Sequence, residues 1–213
     1  MSPRPYRMDR RREITDETRL RIINAAREIL SSPEGSAKFS VEAVARQAGV
    51  ARMTVYYQFG SMRGLLEGIC DSLAIAGGMD RMADAFRRPD PLEALDEFIT
   101  VLMHFWESDR PVRRGLGALA VLDPVTAAVL EARSGRRRHG LQVLLGRLAK
   151  QTGRPKPQEL EDAVDLIYML TSFHTYDSLA GPKRDVDRVT AMIQALARRV
   201  LAQEEDDSHH ARG

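Results

Sequence analysis

Apolar residues recur along nearly the whole chain at the three- and four-residue spacing of an α-helix, and the alternating pattern of a strand is almost absent. Ala, Leu, Arg and Glu are abundant and aromatics are only 6% of the chain, the usage that helices favour. Proline and glycine cut this pattern at 33–35, 49, 60, 89–91, 111, 124, 153–157 and 181–182. The pieces between the cuts predict an all-α fold of about nine helices. They cover residues 15–30, 41–48, 52–58, a stretch from 61 onward, 92–108, 112–121, 124–150, 158–179 and 185–203. A chain of 213 residues is long enough to bury a core without staples.

The single cysteine, Cys70, excludes a disulfide framework and a Cys-rich zinc module. No apolar run approaches the roughly 18 residues of a membrane span. The Arg-rich start lacks the apolar core of a signal peptide, so the expected location is cytoplasmic, with no membrane partner. The overall charge of +2 is unevenly placed. Residues 1–65 hold 12 Lys+Arg against 7 Asp+Glu, and the remainder holds 20 against 23. A basic front end joined to a slightly acidic remainder suggests a nucleic-acid-facing module followed by a different one.

The segment "VEAVARQAGVARMTVYYQFGSMRGLL" carries the most information. Ala45, Gly49 and Val55 stand four and six residues apart. A helix-turn-helix needs a small residue at the helix crossing, a glycine able to take positive φ in the turn, and a branched apolar residue to lock the second helix. Val44, Ala48 and Val50 fill the apolar positions between them.

That segment, preceded by a helix and followed by "SMRGLL", resembles the DNA-binding domain of the TetR family of transcriptional regulators over about residues 18–66. The resemblance implies a basic arm at 1–14, a three-helix DNA-binding domain at 15–62, a larger helical domain for ligand binding and dimerisation at 63–205, and a polar tail at 206–213. It implies a recognition helix at 52–58 lying in the major groove of a double-stranded operator. Arg52 would read guanine with its fork, and Met53 would stand beside it among the DNA-facing residues. Thr54 would touch a thymine methyl or a phosphate, and Tyr57, about one turn further on, would reach bases or sugar. Tyr56, Gln58, Arg63 and Ser40 would hold phosphates, Ser40 at a helix N-terminus. The chain has Ala51 where the family commonly has Ser or Thr, and Met62 where it commonly has Lys.

Between Met79 and Tyr176 large and polarizable side chains are frequent, as a helical core requires. The resemblance implies a small-molecule effector pocket among them, with Met103, His104, Trp106, Tyr168, Phe173, His174 and Tyr176 as lining candidates. Val186, Val189, Ile193, Leu196 and Val200 step by three and four, the seam spacing of packed helices. The 158–179 helix is apolar over most of its circumference, which predicts a homodimer interface using Ile167, Leu170, Val189, Ile193, Leu196 and Val200.

No phosphate loop, nucleophile elbow or HExxH motif is present. No cofactor, metal ligand or catalytic residue is expected. His174 and Asp177, at i and i+3, are the one pair an enzyme reading could use. The other alternative is a helix-turn-helix serving protein contacts or non-specific DNA binding.

Overall fold

The computed structural model describes the backbone of residues 4–153 and 156–210 and the side chains of residues 15–153 and 156–202. The side chains of the 1–14 arm and the 206–213 tail therefore lie outside the described residues. Every element among the described residues is helical.

The chain divides into two compact units, Met1–Leu73 with Arg110–Glu131, and Ala74–Asp109 with Ala132–Gly213. The first contains α1 (Arg4–Ser31), the one-turn α2 (Gly35–Lys38), α3 (Val41–Gln47), α4 (Arg52–Phe59) and most of α5 (Met62–Ala76). It also contains α8 (Arg110–Leu122) and the first turns of α9 (Pro124–Thr152). The second unit contains α6 (Met82–Arg87), α7 (Pro91–Glu107), the rest of α9, α10 (Pro157–Leu170), α11 (Phe173–Ala180) and α12 (Val186–His210). A single 3-10 turn, Met79–Arg81, precedes α6.

Among the described residues twelve α-helices replace the nine expected, and the differences have local causes. The "GSAK" segment after Pro33 makes one turn of its own instead of a plain loop. The stretch from 61 to 87 is two helices, parted at Gly78, whose φ of 70° is left-handed. The expected 158–179 helix breaks at Thr171–Ser172. There the Ser172 hydroxyl accepts from the Thr175 backbone N–H at 3.1 Å and starts a new helix, as an N-cap serine does. The first helix begins at Arg4, ahead of the Thr15 start that the pattern suggests.

The core of the first unit is formed by Ile22, Ala26 and Leu30 of α1, Val41, Val44 and Ala45 of α3, Val55 of α4 and Leu65, Leu66 and Ile69 of α5, all buried. Helix α8 packs across α1 and buries Val112 and Leu116. The approach is close because Gly115 faces the α1 backbone directly. A Cβ there would stand 2.1 Å from the Leu30 carbonyl oxygen. In the second unit, α7 packs on α12 and α12 on α10. Phe98, Ile99, Leu102, Leu141, Leu144 and Val164 fill the space with Tyr176. Gln194 of α12 ties the layers by donating to the Asp96 carbonyl of α7 at 3.0 Å.

Gly115→Ala should destabilise the first unit by about 1–3 kcal/mol, because backbone atoms, which cannot turn aside, occupy the space. Gly117→Ala, on the same helix with open space around it, should be neutral or stabilise by up to about 1 kcal/mol through helix propensity. Chemical denaturation of the two variants checks the contrast; equal midpoints would mean that α8 does not pack on α1 this closely.

Candidate nucleic-acid interface

Helix α3 starts at Ser40, whose hydroxyl accepts from the Ala43 backbone N–H at 3.1 Å. The serine is thus committed to capping and is half-buried. The helix ends where Gly49 takes a φ of 64°, the left-handed conformation that favours glycine. The Val50 backbone N–H then donates to the Ala45 carbonyl at 3.0 Å, closing the turn. The turn residue expected from spacing alone therefore has the geometry that the spacing requires.

Helix α4 opens at Ala51, which provides no side-chain cap. Its inner side buries Val55 and Phe59. The Phe59 ring lies against Gly68 of α5, with the Arg19 guanidinium 4.2 Å from its centroid. Arg19 also donates to the Gln58 carbonyl at 2.7 Å, tying the end of α4 to α1. On the outer side Arg52, Met53 and Tyr57 are exposed, Met53 by 73% and Tyr57 by 83%. Thr54, Tyr56 and Gln58 are half-buried along the flanks. The structure thus brings six of the eight predicted DNA-facing residues onto one short helix.

Ser40 sits at the start of α3, and Arg63 sits in the first turn of α5. Arg63 is exposed and its Nε pairs with Glu67 at 2.9 Å. Met62, which stands in the family's usual lysine position, is half-buried. Helix α5 is capped instead by Ser61, whose hydroxyl accepts from the Gly64 N–H at 3.1 Å.

Arg52 is engaged on two sides. Its Nη1 lies 2.7 Å from Glu42 Oε1, and its Nη2 donates to the Tyr56 hydroxyl at 3.2 Å. The hydroxyl of Tyr56, and then the carboxylate of Glu42, raise the Arg52 pKa above its ordinary value, so the group is firmly cationic. Sequence reasoning missed Glu42. The available signal was an acid in the first turn of α3, the helix before α4.

The effector candidates are scattered more widely than the sequence suggests. Met103 and Tyr176 are fully buried, and Tyr176 donates its hydroxyl to Glu107. Trp106, Phe105 and Phe173 form an aromatic group, with Trp106 centred 4.7 Å from Phe105 and 5.6 Å from Phe173. The Trp106 indole donates to the Thr171 carbonyl at 3.0 Å. Tyr168 lies under Arg137, whose guanidinium is 4.0 Å from the ring centroid. Arg137 also donates to the Tyr168 carbonyl and to Thr171 Oγ1, and burial pulls its pKa below the ordinary value. His104 instead faces Asp187 at 3.3 Å, and His174 is exposed. Among the described residues no group of three or more His, Cys, Asp or Glu side chains is placed to hold a metal ion. Among the same residues no helix is long and apolar enough to cross a membrane.

The predicted dimer residues divide. Ile167, Val189 and Ile193 are fully buried within their own unit, because the stepping apolar stripe of α12 is its inward face. Leu170 and Val200 are half-buried. Leu196 is exposed, as are Leu166, Met169 and Met192. The surplus apolar surface on α10 and α12 is therefore real but shifted around both helices from the expected stripe.

A capped helix, a left-handed glycine turn and a second helix with an exposed, cation-led outer face define a helix-turn-helix DNA-binding regulator. Residues 22–69 match the family model described as bacterial regulatory proteins, tetR family, so this module is of that family's kind. No curated protein matches the chain. Among solved structures, a regulator from Pseudomonas aeruginosa aligns with a TM-score of 0.70 at 16% identity, over 88% of this chain and 91% of that one. A TetR-like regulator from Rhodococcus aligns at 0.65 with 21% identity, over 87% and 96%. NalD, the secondary repressor of the MexAB-OprM multidrug efflux pump in Pseudomonas aeruginosa, aligns at 0.65 with 22% identity, over 88% and 96%. These likenesses extend the shared fold well beyond the helix-turn-helix.

Proposed function

We propose that the chain is a homodimeric repressor that binds a two-fold operator and is released by an apolar or amphipathic small molecule. The observation that carries the DNA part is the outer face of α4, where Arg52, Met53 and Tyr57 stand exposed on a helix whose other side is locked into the core. Arg52 reads a guanine, and Tyr56, Gln58, Ser40 and Arg63 track the backbone on either side. Selection of bound duplexes from a random pool, followed by footprinting, tests the operator directly. A two-fold footprint with half-sites about 34 Å apart, or a multiple, supports the reading, and uniform coating of DNA would refute it.

Arg52→Ala should weaken the selected operator about 10- to 100-fold and relax preference at one base pair. Gln58→Ala should weaken all sequences alike. Competition binding against single-base operator variants separates the two, and a uniform loss for Arg52→Ala would remove it from base reading.

The dimer uses the exposed apolar residues of α10 and α12. Met169, 56% exposed, and Leu196 are surface positions, so a charge there leaves the protomer's own core intact. Met169→Glu and Leu196→Glu should give folded monomers by sedimentation, since burying an unpaired charge in an interface costs several kcal/mol. Folded dimers would place the interface elsewhere.

Effector binding falls to the second unit, where Trp106, Phe105 and Phe173 supply aromatic surface beside the polar Thr171. Helix α5 is one unbroken helix from Met62, just after α4, to Ala76, and carries the coupling. A coupling of about 1–3 kcal/mol suffices for a switch, and linkage makes it reciprocal. A hydrophobic candidate titrated with and without operator should bind 5- to 150-fold more weakly in its presence. Equal affinity in both titrations would mean that the compound is not an inducer.

A further inference from the structure

We propose that Glu42 is a specificity-determining residue that withholds Arg52 from the phosphates of non-operator DNA. The inference rests on the reading of α4 as the recognition helix. In the free protein both terminal nitrogens of Arg52 are engaged, Nη1 by Glu42 at 2.7 Å and Nη2 by the Tyr56 hydroxyl at 3.2 Å. The guanidinium also leans on the Tyr56 ring, 5.4 Å from its centroid. The three side chains come from two helices joined by the Gly49 turn, so the arrangement is fixed by the motif itself.

Two consequences follow from the chemistry. Paired with a carboxylate, Arg52 adds no net charge to the surface and releases no counterion when α4 meets arbitrary DNA. A phosphate must share the guanidinium with Glu42 or displace it, and in either case the Glu42 carboxylate repels it. A guanine edge offers two neutral acceptors, O6 and N7, that take the fork without setting a second negative charge against Glu42, whereas a phosphate, which can also take the fork, brings that charge with it. The pair is more than half exposed on both sides, which makes it weak enough to open on the correct base. Glu42 therefore lowers non-specific affinity more than operator affinity.

The test uses the full chain with Glu42→Gln, Arg52→Ala and the double variant. The probes are a random-sequence 30-base-pair duplex and the duplex recovered by selection. Affinities are measured between about 50 and 200 mM salt. Glu42→Gln should steepen the salt dependence on the random duplex by about 0.9 for each protomer, one added phosphate contact each. For a dimer this gives about 12-fold more tightening than wild type on lowering salt from 200 to 50 mM. The selected duplex should gain less, so discrimination falls. In the Arg52→Ala background the gain should vanish. An unchanged slope would overturn the proposal. So would a gain that survives loss of Arg52, since that is charge removal alone. A wild-type chain that binds neither duplex at 50 mM salt would overturn the DNA reading itself, an outcome visible without any substitution.

Discussion

Helix α4 is eight residues long, too short to persist in water by itself, because the cost of nucleating a helix exceeds what so few backbone bonds return. Everything that α4 can do depends on the burial of Val55 and Phe59 beneath it. Helix α4 packs on α3, Val55 is buried, and Phe59 fills the space beside Gly68 while Arg19 covers its ring. With Ala51 in place of a capping hydroxyl, tertiary packing carries nearly all of the helix's stability. The outer face is then free to be chosen for recognition alone, so Met53 and Tyr57 can remain exposed on an ordered helix.

The helix-turn-helix was legible because its constraints are local. A small residue, a left-handed glycine and a branched apolar residue at fixed spacing leave few other structures open, and Ala45, Gly49 and Val55 occupy those roles. The second unit was legible in class and not in detail. Periodicity identifies α12 but not which of its apolar stripes faces inward, so Val189 and Ile193, expected at an interface, are core. The same limit hid the break in the 158–179 stretch, because a serine that starts a helix and a serine within one look alike until the backbone turns. Glu42 escaped notice for a different reason: its role comes from a contact across the turn, not from a motif position.

The Thr171–Ser172 break organises the second unit much as the Gly49 turn organises the first. Thr171 is buried, yet its polar atoms are all used. Its hydroxyl donates to the Ile167 carbonyl and accepts from Arg137, and its carbonyl accepts from the Trp106 indole. Three helices, α7, α9 and α10, thus converge on one residue through hydrogen bonds that are strongest where water is excluded. The aromatic surface of Trp106 and Phe173 packs beside this polar knot.

Surface ion pairs are usually poor arguments for stability, and the Arg52–Glu42 pair is no exception. Its significance is that recognition depends on differences between partners and not on the strength of any one contact. A cation displayed without a partner strengthens binding to every phosphate in a genome, and the excess of wrong sites makes that gain harmful. A cation held by a neighbouring acid contributes most where a neutral base edge takes its fork without bringing another negative charge against that acid. The first turn of α3 is well suited to hold that acid. A carboxylate there is favoured by the helix N-terminus, and the Gly49 turn brings it to the opening of α4. The motif that positions the reading side chain thus also positions the group that restrains it.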